Sequence, residues 1–370
     1  MTKSNAKKDN SEKVTEKRRP NPEIAKLEDM LCGWLDGSGP ASDIIISSRV
    51  RLARNLQNYK FPSMAGQEQL KEVRKKIEEA AKLTTSLKSA LYISMEDAPE
   101  LDKRFLMERR LISPQFSESN ETGSLLVDKK QYLGVMINEE DHLRLQNVQS
   151  GLQIEKAWDE VNLLDEELSR HLPYAFSEQF GYLTACPTNT GTGMRVSIFI
   201  HLPALAITDQ LEKVVKEMSP SEITVRGFHG EGTGVQGNIF QISNQLTLGR
   251  TEEKIVKRLK IVAERFVELE REEREKFMNT SARRVMDLVH RARAIINNAL
   301  LLSSFEFIHL LSAIRLGSDL EIIDPIETRR LNELLVIMQP AHLQKKVKKK
   351  LKSDERDAWR AQFVKECLKL

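Results

Sequence analysis

The chain has 370 residues, 40% of them hydrophobic and 30% charged, enough for two or three domains of a folded protein. Its formal net charge of +3 arises in the first 22 residues, where seven Lys/Arg stand against three Asp/Glu; the rest of the chain holds 50 basic and 51 acidic residues. That near-neutral body excludes a dedicated nucleic-acid binder, no apolar run approaches the ~20 residues of a membrane span, and three scattered cysteines (Cys32, Cys186, Cys367) give neither a disulfide scaffold nor a zinc pattern.

The opening MTKSNAKKDN lacks the apolar stretch of a secretory signal, so a reducing cytoplasm is expected. Residues 1–22 read as a disordered polar and basic tail. Residues 44–46 are all Ile and lead into Ser47-Ser48-Arg49-Val50-Arg51-Leu52-Ala53-Arg54, strand composition interleaved with arginines. Residues 67–82 predict an amphipathic helix. Residues 124–127 and 132–137 predict a hairpin across Asp128-Lys129-Lys130-Gln131. Residues 152–170 carry Ile154, Ala157, Trp158, Val161 and Leu168 at helical spacing. Residues 195–202 alternate, with Val196, Ile198, Ile200 and Leu202 on one face and Ser197, Phe199 and His201 on the other, which predicts a strand. A helix at 211–218 and strands at 222–228 and 238–248 follow. Beyond residue 250 only helical spacing persists. The pattern predicts an α+β domain with a largely antiparallel sheet over 23–256, then an all-helical domain over 257–370.

GxxxxGK[ST], HRD, DFG and HExxH are absent. Gly232-Thr233-Gly234-Val235-Gln236-Gly237 matches GxGxxG, but a dinucleotide site needs a helix to open there, and the following Asn238-Ile239-Phe240-Gln241-Ile242 is strand-like. A loop between strands describes it better.

Four segments concentrate chemistry at strand ends: Ser47–Arg54 in the order just given, Asn138-Glu139-Glu140-Asp141-His142-Leu143-Arg144, Cys186-Pro187-Thr188-Asn189-Thr190-Gly191-Thr192-Gly193-Met194-Arg195, and Arg226-Gly227-Phe228-His229-Gly230-Glu231-Gly232. Taken singly, each has a bland reading as a solvated loop or a small core cysteine. Arg49 and Arg51 fall on one side of a strand, where two like charges are unfavourable unless an anion lies between them. Arginines arranged so can surround a polyphosphate through bidentate charge-assisted bonds.

These four segments, in this order, resemble those of the phosphagen (guanidino) kinase superfamily. The short stretch before Ser47 and the helical C-terminal part resemble its bacterial protein-arginine kinase branch. The resemblance implies a glutamine-synthetase-like antiparallel sheet with flanking helices, ATP with Mg²⁺ as donor and a guanidinium as acceptor. It implies that Ser48, Arg49, Arg51, Arg144, Arg195 and Arg226 hold the nucleotide phosphates. It further implies Glu140 as catalytic base, Glu231 as second substrate carboxylate, and Cys186 beside the guanidinium; no protein-bound metal is expected. An adenine-stacking histidine is implied near Leu111-Ile112-Ser113-Pro114, where this chain has none and Arg110 and Gln115 stand instead. In the helical part, Arg356-Asp357-Ala358-Trp359-Arg360-Ala361 resembles a phosphoarginine-binding segment, with Arg356, Asp357, Arg360 and Ala361 as its site.

The function so implied is phosphorylation of protein arginines, marking proteins for regulation or Clp-type degradation. Expected partners are substrate proteins, an activator of the McsA type, a Clp ATPase and a transcriptional repressor, with a homodimer as the assembly and neither nucleic acid nor membrane as a partner. Two other readings are a phosphoarginine-binding adaptor without activity and a small-molecule guanidino kinase.

Overall fold

A computed structural model describes residues 22–96, 98–118, 122–218, 223–227 and 236–369. The tail expected over 1–22 lies outside these residues except for Pro22. The strands are β1 (Ile45–Arg54), β2 (Leu91–Ser94), β3 (Ser124–Val127), β4 (Leu133–Ile137), β5 (Leu143–Ser150), β6 (Phe176–Ser177), β7 (Gly181–Tyr182), β8 (Met194–His201), β9 (Ile223–Gly227) and β10 (Ile239–Asn244). The helices are α1 (Pro22–Glu28), α2 (Gln67–Leu83), α3 (Glu100–Glu108), α4 (Pro114–Glu118), α5 (Ile154–Ser169), α6 (Pro203–Ile207), α7 (Leu211–Glu217), α8 (Glu252–Asn298), α9 (Ser304–Asp319), α10 (Thr328–Ile337), α11 (Pro340–Val347) and α12 (Ser353–Leu368).

Eight strands form one antiparallel sheet in the order β2-β3-β4-β5-β1-β8-β10-β9. The expected α+β architecture, hairpin and helical C-terminal part are all present. Strand alternation decides what each face does. Val50, Leu52, Leu143, Leu145, Val196, Ile198, Ile200 and Ile242 turn to one face and pack on α2, α5 and the first half of α8. On the other face, α1, α3 and α4 cover β2–β4 through Ile93, Leu125, Val127 and Met136. Phe199, Val148 and Ile46 anchor the helical part of the chain there, with Val289, Phe307, Leu311 and Ile314. Between these two covers lie the arginines.

Helix α8 is broken at Ser281, where φ and ψ are −146° and 34°. Ile255, Leu259, Val262 and Phe266 before the break belong to the sheet's core, whereas Val289, Ala292 and Ile296 after it belong to the helical part. The boundary at 256/257 expected from composition therefore falls inside the first half of this helix. Caps match the sequence: Thr251 and Ser303 accept from Lys254 N and Glu306 N at the starts of α8 and α9.

A buried ionic cluster fastens the two parts. Glu270 accepts from the Ala204 and Leu205 backbone N–H groups and from Arg274 Nε, and Arg274 also reaches Asp319 at 3.1 Å. Arg315 donates to Asn332 and to the Ser42 and Asp43 carbonyls.

Candidate active site

Five arginines share one face of the sheet, and the strand registers show why. Arg51 on β1 faces Arg195 on β8 and Gln146 on β5, which puts Arg144, two residues from Gln146, on the same side. Arg49 faces Ser197, and the alternation continues through Phe199 to Gln241 on β10 and Arg226 on β9. All five side chains are half-buried. Arg49 Nη2 donates to Gln241 Oε1 at 3.3 Å and Arg195 Nη2 to Ser243 Oγ at 3.1 Å, so neutral groups of β10 orient two of the forks.

Their electrostatics are those of a cluster short of negative charge. Burial, then the charges of Arg110, Arg144 and Arg195, pushes Arg49 down to about 9. Arg51 is lowered well below the arginine range by burial and by Arg144, Arg49 and Arg195, with Glu139 opposing. A polyanion between the forks would reverse both effects.

Arg195 arrives on this face through a turn only glycine can make. Gly193 has φ of +62°, and a Cβ there would lie 2.5 Å from the Ala53 carbonyl oxygen. That approach allows Ala53 N to donate to the Gly193 carbonyl and start the β1–β8 ladder. Arg195→Lys keeps the charge but loses the planar two-point contact. ATP affinity and turnover are expected to fall at least tenfold with unchanged thermal stability, read by calorimetric titration and melting.

The acidic run between β4 and β5 divides its labour. Asn138, at φ +57°, makes the turn and donates to the Leu70 carbonyl at 2.8 Å. Glu139 is bound by Arg144 Nη1, 2.6 Å from Oε2, and by the Ser113 hydroxyl. Burial works to raise its pKa, but the Arg144 charge and these bonds outweigh it and hold the carboxyl below its ordinary value. Asp141 is buried and accepts from Asn55 Nδ2 at 2.6 Å and from the Ala185 N–H at 2.7 Å, tying the acidic loop to the segment that carries Cys186. Among the described residues, Glu140 alone of the three makes no hydrogen bond or ion pair, and it is half-buried.

His142 is part of the scaffold. Its Nδ1 accepts from Leu56 N–H at 3.1 Å, so the proton resides on Nε2, which donates to the Lys60 carbonyl at 3.0 Å. Burial lowers its pKa to about 4. The unfolded imidazole titrates near 6.5, so below that value the unfolded chain binds the proton first. Stability is therefore full above pH ~6.5 and lost as pH falls towards 4, by up to about 3 kcal/mol. His142→Gln should flatten the difference between denaturation midpoints at pH 7 and pH 4.5.

Cys186 is half-buried, with Sγ 3.0 Å from Thr188 Oγ1, at the start of a short 3-10 turn, Pro187–Asn189. Glu231, with most of the glycine-rich segment around it, lies outside the described residues. Two of that segment's residues are described: Gln236 bridges Ile239 and the chain enters β10, so no helix opens after Gly237.

Ser48 is set apart from the arginines. One residue out of step with Arg49, it points to the opposite face, is fully buried, and donates to the Gly151 carbonyl at 2.7 Å while accepting from Gln153 N. Its hydroxyl holds the entry to α5 and is turned away from the arginine face. A sixth arginine, Arg110, joins that face instead. It follows α3 at φ +60° with its guanidinium 3.8 Å from the Phe199 ring centre, while Gln115 is exposed on α4. In the sequence, Arg110 stands with Gln115 where the resemblance implies an adenine-stacking histidine.

In the helical part, Arg360 is 1% exposed. Its guanidinium donates to the Met338 and Leu302 carbonyls at 2.9 and 2.6 Å and to Asp357 Oδ1 at 2.6 Å. Asp357, three residues away on α12, serves to hold Arg360, and Ala361 is buried in the core beneath. Arg356 is half-buried and donates to the Leu351 carbonyl.

A sheet face of convergent arginines beside a divided acidic loop is the layout of a phosphotransferase acting without a P-loop. Residues 72–273 match the model of the ATP:guanido phosphotransferase C-terminal catalytic domain, and residues 282–370 match the protein-arginine kinase McsB C-terminal domain. The chain belongs to the ATP:guanido phosphotransferase family. The two matched regions meet around the break at Ser281. The chain is 43% identical over 340 residues to a protein-arginine kinase of Halothermothrix orenii, covering 92% of this chain and 97% of the relative. Identity to the protein-arginine kinase of Bacillus subtilis is 40% over 346 residues, covering 93% and 95%. Among solved structures it is similar in fold to lombricine kinase, with a TM-score of 0.56 at 21% identity over 68% of this chain and 71% of that one. The duplicated taurocyamine kinase of Schistosoma mansoni gives 0.58 at 24% identity, over 68% of this chain and 36% of that one.

Proposed function

We propose that this protein is a protein-arginine kinase, transferring the γ-phosphoryl group of ATP to arginine side chains of other proteins. The observation that carries the reading is the division of the acidic loop. Glu139 is consumed by Arg144 and Ser113, Asp141 by Asn55 and Ala185, and Glu140 is left to act beside the arginine face. A guanidinium is protonated at every accessible pH and has no free lone pair. It becomes a nucleophile only where a carboxylate orients it and takes a proton as the N–P bond forms. Glu140 fills that role, Glu231 would clamp the second edge of the acceptor, and Cys186 would line the acceptor's other side.

Arg49, Arg51, Arg144, Arg195 and Arg226 hold the phosphates and stabilise charge on the transferring group, as a P-loop lysine and backbone amides do elsewhere. When bound with the nucleotide, Mg²⁺ would add to the neutralisation of phosphate charge that these arginines supply.

The finer expectations rest on the family resemblance. These are an activator of the McsA type, a Clp ATPase and a repressor as partners, a homodimer, and a cytoplasmic location. No described helix is long and apolar enough to cross a membrane. A phosphoarginine site at Arg356, Asp357, Arg360 and Ala361 belongs to the same reading. In it Asp357 orients Arg360, and the half-buried Arg356 supplies the second cation. We place the division between catalytic and helical parts at the Ser281 break.

The test is mass spectrometry of an arginine-rich protein incubated with the full chain and MgATP, handled without acid. Acid-labile phosphate on arginine side chains is expected. Phosphorylation of free arginine alone, or no transfer, would overturn the reading.

A further inference from the structure

The two-stranded ribbon of β6 and β7 carries two phenylalanines that the fold does not cover: Phe176 is 58% exposed and Phe180 46%. The ribbon is nevertheless rigidly built. Its arms are joined by Leu183 N to the Ala175 carbonyl, and its backbone is tied on two sides, by Ala175 N to the Asn55 carbonyl and Tyr182 N to the Gly191 carbonyl. A stacked column supports Phe176 from beneath. The Asp165 carboxylate binds Arg54 at 2.7 Å, the Arg54 guanidinium lies 3.5 Å from the Tyr182 ring centre, and Phe176 meets Tyr182 edge-on at 5.3 Å and 77°. An exposed aromatic held on a preformed support is the usual form of a binding hot spot, because little side-chain entropy remains to be lost.

The ribbon's position says what would bind there. It runs directly into the 183–186 segment that ends at Cys186. Asn55 links them: its Nδ2 donates both to the Leu183 carbonyl and to Asp141 Oδ1, the oxygen that also accepts the Ala185 N–H. The ribbon that carries the aromatic pair is thus tied through Asn55 to the acidic loop and to the segment that ends at Cys186. At its tip, Glu178 is exposed and favours a basic segment.

We propose that Phe176 and Phe180 form the docking platform for the polypeptide segment flanking the acceptor arginine. This rests on the protein-arginine kinase reading and deepens it, since a free amino acid has no flanking chain to lay on such a surface. The segment's apolar side chains and backbone lie on the two rings while its arginine extends past Cys186 towards Glu140.

Peptide binding tests this without turnover. A fluorescent nine-residue peptide with one central arginine is titrated into the full chain with ADP present, and read by anisotropy. Phe176→Ala with Phe180→Ala is expected to weaken peptide binding at least tenfold, leaving ADP affinity and melting temperature unchanged. Phe176→Leu, which keeps apolar volume but loses the ring, should give an intermediate loss. Competition by free arginine amide should be equal in wild type and double variant. Peptide affinity within twofold of wild type in the double variant, no affinity in the wild type, or a change of oligomeric state in place of a change in peptide binding overturns the platform. Failure of the kinase reading would show separately, as wild-type protein that binds the peptide and forms no phosphoarginine.

Discussion

Glu140→Gln should reduce phosphoryl transfer by about 10²–10⁴-fold, the usual effect of removing a general base, while ATP affinity stays within about twofold of wild type. Glutamine keeps the shape and can still accept a hydrogen bond, but it cannot take the proton that must leave the guanidinium. No fold contact is lost, because Glu140 makes no hydrogen bond or ion pair among the described residues. The neighbouring acid supplies the contrast. Glu139 positions Arg144 through a bond of 2.6 Å and is held in turn by Ser113. Glu139→Gln should therefore act first on nucleotide affinity, by loosening an arginine of the phosphate face. A single-turnover assay at saturating ATP separates the two: the Glu140 variant stays slow and the Glu139 variant recovers most of its rate. Activity of Glu140→Gln within threefold of wild type would remove the base from this position.

The sheet was legible in the sequence because alternation is a local signal. Val196, Ile198 and Ile200 on one parity announce a buried face, and Arg195 on the other announces its opposite. The same arithmetic places Arg49 and Arg51 together and turns the Ser48 side chain to the opposite face. The motif's resemblance included Ser48 because adjacency in sequence conceals opposition across a strand. Arg110 was less visible. It lies outside every strand, and only the chain reversal after α3, with φ of +60°, brings it over Phe199. The break inside α8 was not legible for a related reason. Helical periodicity is continuous from residue 252 onward, and what divides α8 is the partner on each side of Ser281, which spacing does not encode. In Arg360 the sequence shows two arginines at i and i+4, whereas the fold buries one against the carbonyls of Met338 and Leu302.

Arg54 closes the motif that Arg49 and Arg51 open, yet the structure gives it a different task, and removing it is expected to have the largest effect on stability. It falls on the opposite face of β1, 1% exposed. Its Nε and Nη2 both bind Asp165 Oδ2, at 3.0 and 2.7 Å, and Nη1 donates to the Ala53 and Thr192 carbonyls at 2.9 Å each. The guanidinium thereby joins α5 to β1 and fixes the turn at Gly193 that delivers Arg195. Arg54→Met leaves the Asp165 carboxylate buried without its cation, which typically costs about 3–5 kcal/mol. Adding Asp165→Leu removes the stranded charge, and apolar replacement of a whole buried pair is often neutral, so the double variant should regain at least about 2 kcal/mol of that loss. Recovery should stay incomplete, since the two carbonyl bonds are gone in both variants. Urea midpoints of wild type, both single variants and the double variant measure the coupling. A loss below about 1 kcal/mol for Arg54→Met, within the range of an exposed pair, would show that the buried bridge contributes nothing to holding this turn.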